Sequence, residues 1–470
     1  MDDTHFERLS AMDLSFLAME DGRAHMHIGG VSIYEAEPLR GPDGGIDFER
    51  VVSFTEAQLA KFPRFRQRLA WVPGFAHPGW VDDDRFNLPF HLRHTALPAP
   101  GDVRQLKRLA GRILSQEFDR SKPLWETWFV EGLADDRVAV ISKTHHCMAD
   151  GISGVAMGNL LVGANPDYEP PPPPAWTPRP APGSARLVAD ELRHRVTAPL
   201  RLLGSSRGEG GGGRSGLRPS GLGGLVGSAL RQASDTPLNV PVGPHRRFDW
   251  TSLPFDEVRR IGKNAGGTVN DVVLAVATGA LREHLQHEGV AVDDLDFRAV
   301  VPVNVRNARE DGTLGNRVSE LIARLPIDEP DPWSRLLAVV EMTRELKASG
   351  QSGAGDLINQ AFDLLPTQLL TPLFRLMSGS SVANLIMTNV PGPRVPVYLL
   401  GARQLETYPV VPLLANQTLG IALMSYEHGL FWGFNADWDT IPDLHDLVER
   451  VDTGFSDLSA AAPATDPDQA

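Results

Sequence analysis

Thr144-His145-His146-Cys147-Met148-Ala149-Asp150-Gly151 decides how the chain is read. Before it, Arg137-Val138-Ala139-Val140-Ile141-Ser142-Lys143 alternates with period two and is rich in β-branched residues, so it predicts a strand. After it, Gly151-Ile152-Ser153-Gly154-Val155-Ala156-Met157 is small and apolar, fit for a closely packed helix. Two histidines therefore stand where a strand ends. If the strand runs on through His146, that ring shares a face with Val138, Val140, Ser142 and Thr144, and His145 points the other way. An imidazole titrates near neutrality, as a group must that takes a proton from an alcohol and returns it to a leaving group. Asp150 could orient a histidine, or pair with an arginine and hold the turn closed. Adjacent histidines at a strand end are usually a hydrogen-bonded pair. His-His-x-x-x-Asp-Gly on a strand-to-helix turn points instead to catalysis.

At 470 residues the chain is too long for one ordinary core, and two domains are expected. With 42% hydrophobic and 22% charged residues the composition is globular. A formal net charge of −14 argues against nucleic acid as a partner held by overall charge. The one cysteine, Cys147, excludes an internal disulfide and any multi-cysteine metal site, and suits a cytoplasmic location. The acidic, polar start is no signal peptide, and no apolar run is long enough to span a bilayer.

Along the chain, Ser10 is a possible cap for a short helix, and His25 and His27 lie two apart on a strand. A metal there needs a third ligand, and none is evident. Residues 47–62 and 103–118 have helical spacing; Arg104, Lys107, Arg108 and Arg112 read as a solvated face. Arg64, Arg66 and Arg68 read as a solvated basic edge. Trp125 and Trp128 should pack behind the histidine strand. Prolines 170–174 and the glycines near 210 mark a linker, with nine arginines against three acids between 176 and 234. Residues 186–196 form a possible basic helix, cut short by Pro199, and are read as an interdomain strap rather than a surface for anionic lipid.

Thr268 can cap a helix whose first turn holds Asn270 and Asp271. Pro302 inside the strand at 298–306 indicates an edge or a bulge. Asp363 to Met377 is a leucine-rich stretch broken by Pro366 and Pro372, suited to a lipid surface or equally to a core helix. Residues 419–434 form a hairpin around Glu427-His428-Gly429.

The histidine pattern resembles the signature of CoA-dependent acyltransferases and condensation domains. Pro123-Leu124-Trp125, Asn270-Asp271, Gly315-Asn316-Arg317-Val318-Ser319 and Asn389-Val390-Pro391-Gly392-Pro393 follow in an order similar to one branch, the bacterial wax ester synthase/diacylglycerol acyltransferase family. The resemblance covers nearly the whole chain outside the linker. It implies an α/β (α+β two-layer) fold of two chloramphenicol-acetyltransferase-like lobes, with mixed sheets covered by helices and an active-site tunnel between them. On that reading residues 1–165 are the N-terminal lobe, 166–235 the linker, 236–456 the C-terminal lobe and 457–470 a disordered tail.

The resemblance further implies transfer of a fatty acyl group from acyl-CoA to diacylglycerol or a long-chain alcohol, with acyl-CoA as co-substrate and no other cofactor or metal. His146 would be the general base, His145 supporting, Asp150 structural, and Gly151 a point of close backbone approach. Asn270 and Asp271 would lie near the substrate, and Arg306 or Arg317 would pair with Asp150. Cys147 points away from the reacting side, so a covalent route is discounted. The implied location is cytoplasmic, in peripheral contact with membrane or lipid droplet. Two alternatives remain: a carrier-protein-dependent condensation-type acyltransferase, and a catalytically degenerate lipid-droplet surface protein.

Overall fold

The computed structural model describes residues 4–75, 77–148, 161–173, 175–205, 232–304, 318–348, 367–379 and 381–463. The expected helix at 151–157, the glycine run and Pro366 lie outside the described residues.

Two six-stranded mixed sheets build the molecule. The first contains β2 (His27–Glu35), β5 (Leu92–Ala96), β6 (Trp125–Leu133) and β7 (Arg137–His145), extended by β12 (Tyr398–Leu399) and β13 (Ala402–Val410). Its order is β12-β13-β2-β7-β6-β5. The second contains β8 (Arg246–Pro254), β9 (Arg298–Asn304), β10 (Val318–Arg324), β11 (Leu385–Val390), β14 (Leu419–Tyr426) and β15 (Gly429–Asp437), in the order β10-β9-β11-β14-β15-β8. A small third sheet orders β1 (Glu7–Arg8), β4 (Pro78–Asp82) and β3 (Gln67–Trp71) as β1-β4-β3.

The helices are α1 (Ala11–Met19), α2 (Phe48–Leu59), α3 (Leu88–His91), α4 (Val103–Leu114) and α5 (Ser184–Ser205) in the N-terminal half. In the C-terminal half they are α6 (Phe255–Asn264), α7 (Val269–His287), α8 (Pro332–Ala348), α9 (Thr367–Ser378) and α10 (Leu444–Ala461).

β7 is buried on both faces, which is why it reads as an almost continuous apolar run. Val138 and Val140 join a core with Trp125, Phe129 and Leu59. Ala139 and Ile141 join another that takes Leu106 and Ile113 from α4 and Trp250, Tyr426 and Phe431 from the second sheet. That second core crosses the lobes. A separate core lies where α7, α8 and α10 cover the second sheet. The seam is close because Gly111 of α4 has no side chain: a Cβ there would stand 2.8 Å from the Arg246 carbonyl oxygen. Lys107 pairs across the same seam with Asp249.

Several expectations are corrected. Residues 398–410 were placed in the C-terminal lobe, yet β13 pairs with β2 of the first sheet, Tyr408 opposite Val31. Lys107 is a seam residue, not part of a solvated face. Arg64 and Arg66 are buried in a 3-10 turn, Pro63–Arg66, rather than on a solvated edge. Arg64 bonds Glu7 at 2.6 Å and lies 4.6 Å over the Trp80 ring, and Arg66 lies 5.1 Å over Trp176; aromatic ring faces and a carboxylate replace water. Pro302 is not on an edge strand, because β9 lies between β10 and β11. It is tolerated because β11 pairs with β9 only at Ala299 and Val300. α5 runs through Pro199 and α9 through Pro372. The tail expected from 457 is helical as far as Ala461.

The Ser10 cap, the α7 start at Thr268 and the hairpin are as read. α5 straps the first half: Glu191 pairs with Arg8 and Arg195 lies over Phe75. Among the described residues no helix is long and apolar enough to cross a membrane.

Candidate active site

β7 ends at His145, and the chain turns at once into a 3-10 turn, His146–Met148. The two rings are thus separated by the turn, not by strand alternation continued through His146. The antiparallel register of β2 on β7 sets His27 opposite His145. The chain leading into β2, α1 and its end, is thereby brought against the turn. Phe16 and Glu20 are four residues apart on that chain, so they share a face. Phe16 stacks on His146, centroids 3.8 Å apart. A Glu20 oxygen lies 3.1 Å from Nε2 of His145.

These contacts settle which nitrogen of His145 carries its proton. Nδ1 accepts the Cys147 backbone N–H at 3.1 Å, so Nε2 donates to Glu20. Glu20 also accepts from Arg120 at 2.6 Å. Burial pushes its carboxyl up, but the bonds from His145 and Arg120 outweigh that and hold it well below the usual range. His145 thus caps the turn on which His146 is carried, with an ionised carboxylate behind it.

His146 donates its backbone N–H to the Met26 carbonyl at 2.8 Å. Its ring is half-buried, and Nδ1 is closed off without a partner among the described residues. Burial lowers its pKa to about 4, so it is neutral at physiological pH and accepts a proton rather than donating one. Cys147 is buried, and burial first, then the Asp13 and Glu20 charges, pushes its thiol well above its ordinary value. Asp150 and Gly151 lie outside the described residues, as do Arg306 and Arg317.

Asn270 and Asp271 open α7. Asp271 is buried, and one oxygen accepts from the Thr268 backbone at 2.7 Å and its hydroxyl at 2.8 Å. Its other oxygen accepts from Thr343 of α8 at 2.7 Å. The geometry gives Asp271 a capping role. Asn270 stands 3.5 Å from Asn389, so the Asn-Asp and Asn-Val-Pro-Gly-Pro segments meet in space. His25 and His27 are buried, their rings stacked at 5.3 Å, and burial lowers both pKa values. Among the described residues no group of three or more His, Cys, Asp or Glu is placed to hold a metal.

Sequence reading missed Phe16, Glu20 and Arg120. The four-residue spacing of Phe16 and Glu20 was visible, but only the β2–β7 register gives it a target.

Comparison with known proteins places the chain in a family. Residues 9–273 match the model of the wax ester synthase/diacylglycerol acyltransferase catalytic domain, and residues 314–459 match the WS/DGAT C-terminal domain. A Mycobacterium tuberculosis protein named a probable diacylglycerol O-acyltransferase is 32% identical over 477 residues, covering 96% of each chain. The solved wax ester synthase/diacylglycerol acyltransferase of Marinobacter aquaeolei VT8 superposes with a TM-score of 0.65 at 28% identity, over 97% of this chain and 99% of that one. The first condensation domain of the calcium-dependent antibiotic synthetase shares the fold, with a TM-score of 0.58 at 19% identity over 98% of each chain. With its histidine turn, its two mixed-sheet lobes and matches to both domains, the chain belongs to the wax ester synthase/diacylglycerol acyltransferase family and is an acyltransferase.

Proposed function

We propose that the protein transfers a fatty acyl group from acyl-CoA to the free hydroxyl of diacylglycerol, giving triacylglycerol, with long-chain alcohols as further acceptors giving wax esters. The observation that carries the mechanism is the neutral, half-buried His146 ring held by Phe16 at the end of β7. Its Nε2 is the accepting atom, because Nδ1 is closed off.

As the acceptor oxygen bonds to the thioester carbon, its proton passes to Nε2. The carbon–sulfur bond breaks, and the imidazolium returns the proton to the CoA thiolate. No acyl-enzyme forms, in keeping with the raised thiol pKa of Cys147. A ring of pKa about 4 is a weak base toward a free alcohol. Concerted transfer meets this, because the hydroxyl becomes acidic only while its oxygen is bonding to carbon. His145 and Glu20 position the turn, and the roles proposed for Asp150 and Gly151 are structural rather than chemical. Asn270 lines the substrate side, with Asp271 fixing the helix that carries it.

The reactants meet in a tunnel between the lobes, and no cofactor beyond acyl-CoA is required. The protein works in the cytoplasm, in peripheral contact with membrane or lipid droplet. The relatives named as diacylglycerol O-acyltransferases favour this acceptor over a carrier-bound one.

The test mixes purified protein with palmitoyl-CoA and dioleoylglycerol or hexadecanol. Free thiol and ester should appear together, and His146→Ala should lower kcat by about 10²–10⁴-fold. With His146 ionising near 4, kcat/KM should stay level from neutral pH down to about 5 and fall below it. Thiol release that needs a carrier protein, or persists in His146→Ala, overturns the proposal.

A further inference from the structure

α9 is an unusual helix for the surface of a chain with net charge −14: Thr-Gln-Leu-Leu-Thr-Pro-Leu-Phe-Arg-Leu-Met-Ser contains no acid and one arginine. Its inner face is tied down. Leu370 and Phe374 pack on Leu14 and Ala18 of α1. The Thr367 hydroxyl meets Nδ1 of His77 at 2.8 Å, Gln368 donates to the Phe75 carbonyl at 3.0 Å, and Arg375 donates to the Ala18 carbonyl at 3.2 Å. Its outer face is apolar and open. Leu369 is 61% exposed and Leu376 74%, with an exposed Pro372 between them on the same stripe.

A second open apolar strip adjoins it. Phe75, whose carbonyl holds Gln368, lies 4.7 Å beneath the Arg195 guanidinium of α5. Leu192 and Val196 flank Arg195 at helical spacing and are 50% and 67% exposed. Trp71, 45% exposed, leads into the same turn, closed by Val72 N–H on the His77 carbonyl at 2.9 Å. Cations rim the patch: Arg193 and Arg375 are exposed, and Arg195 stands within it.

We propose that α9 and the outer side of α5 form the docking face for a lipid surface carrying anionic headgroups. Leu369 and Leu376 enter the acyl boundary, Trp71 sits at the interface, and Arg193 and Arg375 meet the headgroups, Arg195 being held by Glu191 at 2.8 Å. Charge selects this occupant: an acidic protein can approach an anionic surface only through its locally basic side, and α9 brings no carboxylate to oppose it. An apolar face bordered by arginine and tryptophan is the pattern of a helix lying in a membrane interface. The placement also serves the reaction, which is where the inference rests on the proposed diacylglycerol acceptor. That acceptor resides in lipid, and α9 packs on α1, the helix whose Phe16 stacks on His146. Docking helix and catalytic ring share one support.

The full chain would be sedimented with phosphatidylcholine vesicles, with and without phosphatidylglycerol. Transfer from palmitoyl-CoA would be measured to dioleoylglycerol in those vesicles and to a short-chain diacylglycerol dissolved as monomers. Leu369→Asp/Leu376→Asp should weaken vesicle binding by about a hundredfold. It should lower transfer to the embedded acceptor in step and leave transfer to the dissolved one unchanged. Arg193→Glu should remove the preference for phosphatidylglycerol vesicles, and Leu376→Trp should tighten binding. Equal vesicle binding by wild type and the double aspartate variant overturns the docking face. So does a wild-type dimer that this variant converts to monomer, because a second copy would then cover the patch. Failure of the wild type on the dissolved acceptor overturns the acceptor reading instead, so the two failures are distinguishable.

Discussion

Glu20→Gln tests the support beneath the histidine turn. In the folded chain the carboxylate is nearly closed off, 6% exposed, and faces a fully buried His145 ring. Removing the ionised acceptor of a buried hydrogen bond costs about 1–3 kcal/mol. Glutamine keeps one acceptor oxygen, and Arg120, 39% exposed, can turn to water, so its share is discounted. The expected loss at neutral pH lies in the lower part of that range, read by urea denaturation.

The sign of the pH dependence follows from the depressed carboxyl. Its stabilisation is fully present above the unfolded value of 4.5 and is lost as pH falls toward the lower folded value. The gap between wild type and Glu20→Gln should therefore be level from pH 8 to about 5 and narrow below it. Activity adds a second reading. Without the carboxylate the His145 proton can move to Nδ1, and the Cys147 N–H loses its acceptor. The turn carrying His146 then loosens, and kcat should fall about 10–100-fold with KM for acyl-CoA little changed. A variant as stable as wild type at pH 7, or a gap that persists undiminished at pH 3, would refute this account of Glu20. Loss confined to KM would refute the positioning role alone.

Two further outcomes follow from the packing. Cys147, 1% exposed with its thiol pushed up, should resist iodoacetamide in the native protein. Cys147→Ala should keep acyl transfer within a few-fold, whereas an acyl-thioester trapped on this residue would overturn direct attack. Gly111→Ala should destabilise by about 1–3 kcal/mol in urea, because the new Cβ meets the Arg246 carbonyl oxygen at 2.8 Å. An ordinary helix would gain about 1 kcal/mol from the same change, so a stabilised variant would show that α4 and β8 are not in contact as described.

The sequence alone determined whatever depends on neighbours along the chain. Period-two alternation placed β7, Ser10 and Thr268 placed the starts of α1 and α7, and Glu427-His428 placed the hairpin, because strand pleat, capping and turn chemistry act within a few residues. The histidine pattern and the segments ordered around it pointed to the family, which the comparisons show. Tertiary structure decided the rest. Which groups hold the histidines depends on β2 pairing with β7, a contact between residues more than a hundred positions apart. Whether an arginine is solvated depends on what packs over it, as Trp80 does on Arg64. A lobe boundary drawn along the chain could not foresee that β13 would close the first sheet, because strand pairing follows the matching of buried faces and free edges in space. Composition likewise gave α9 as apolar, but only its packing on α1 shows which leucines are spent inward and which are left for a partner.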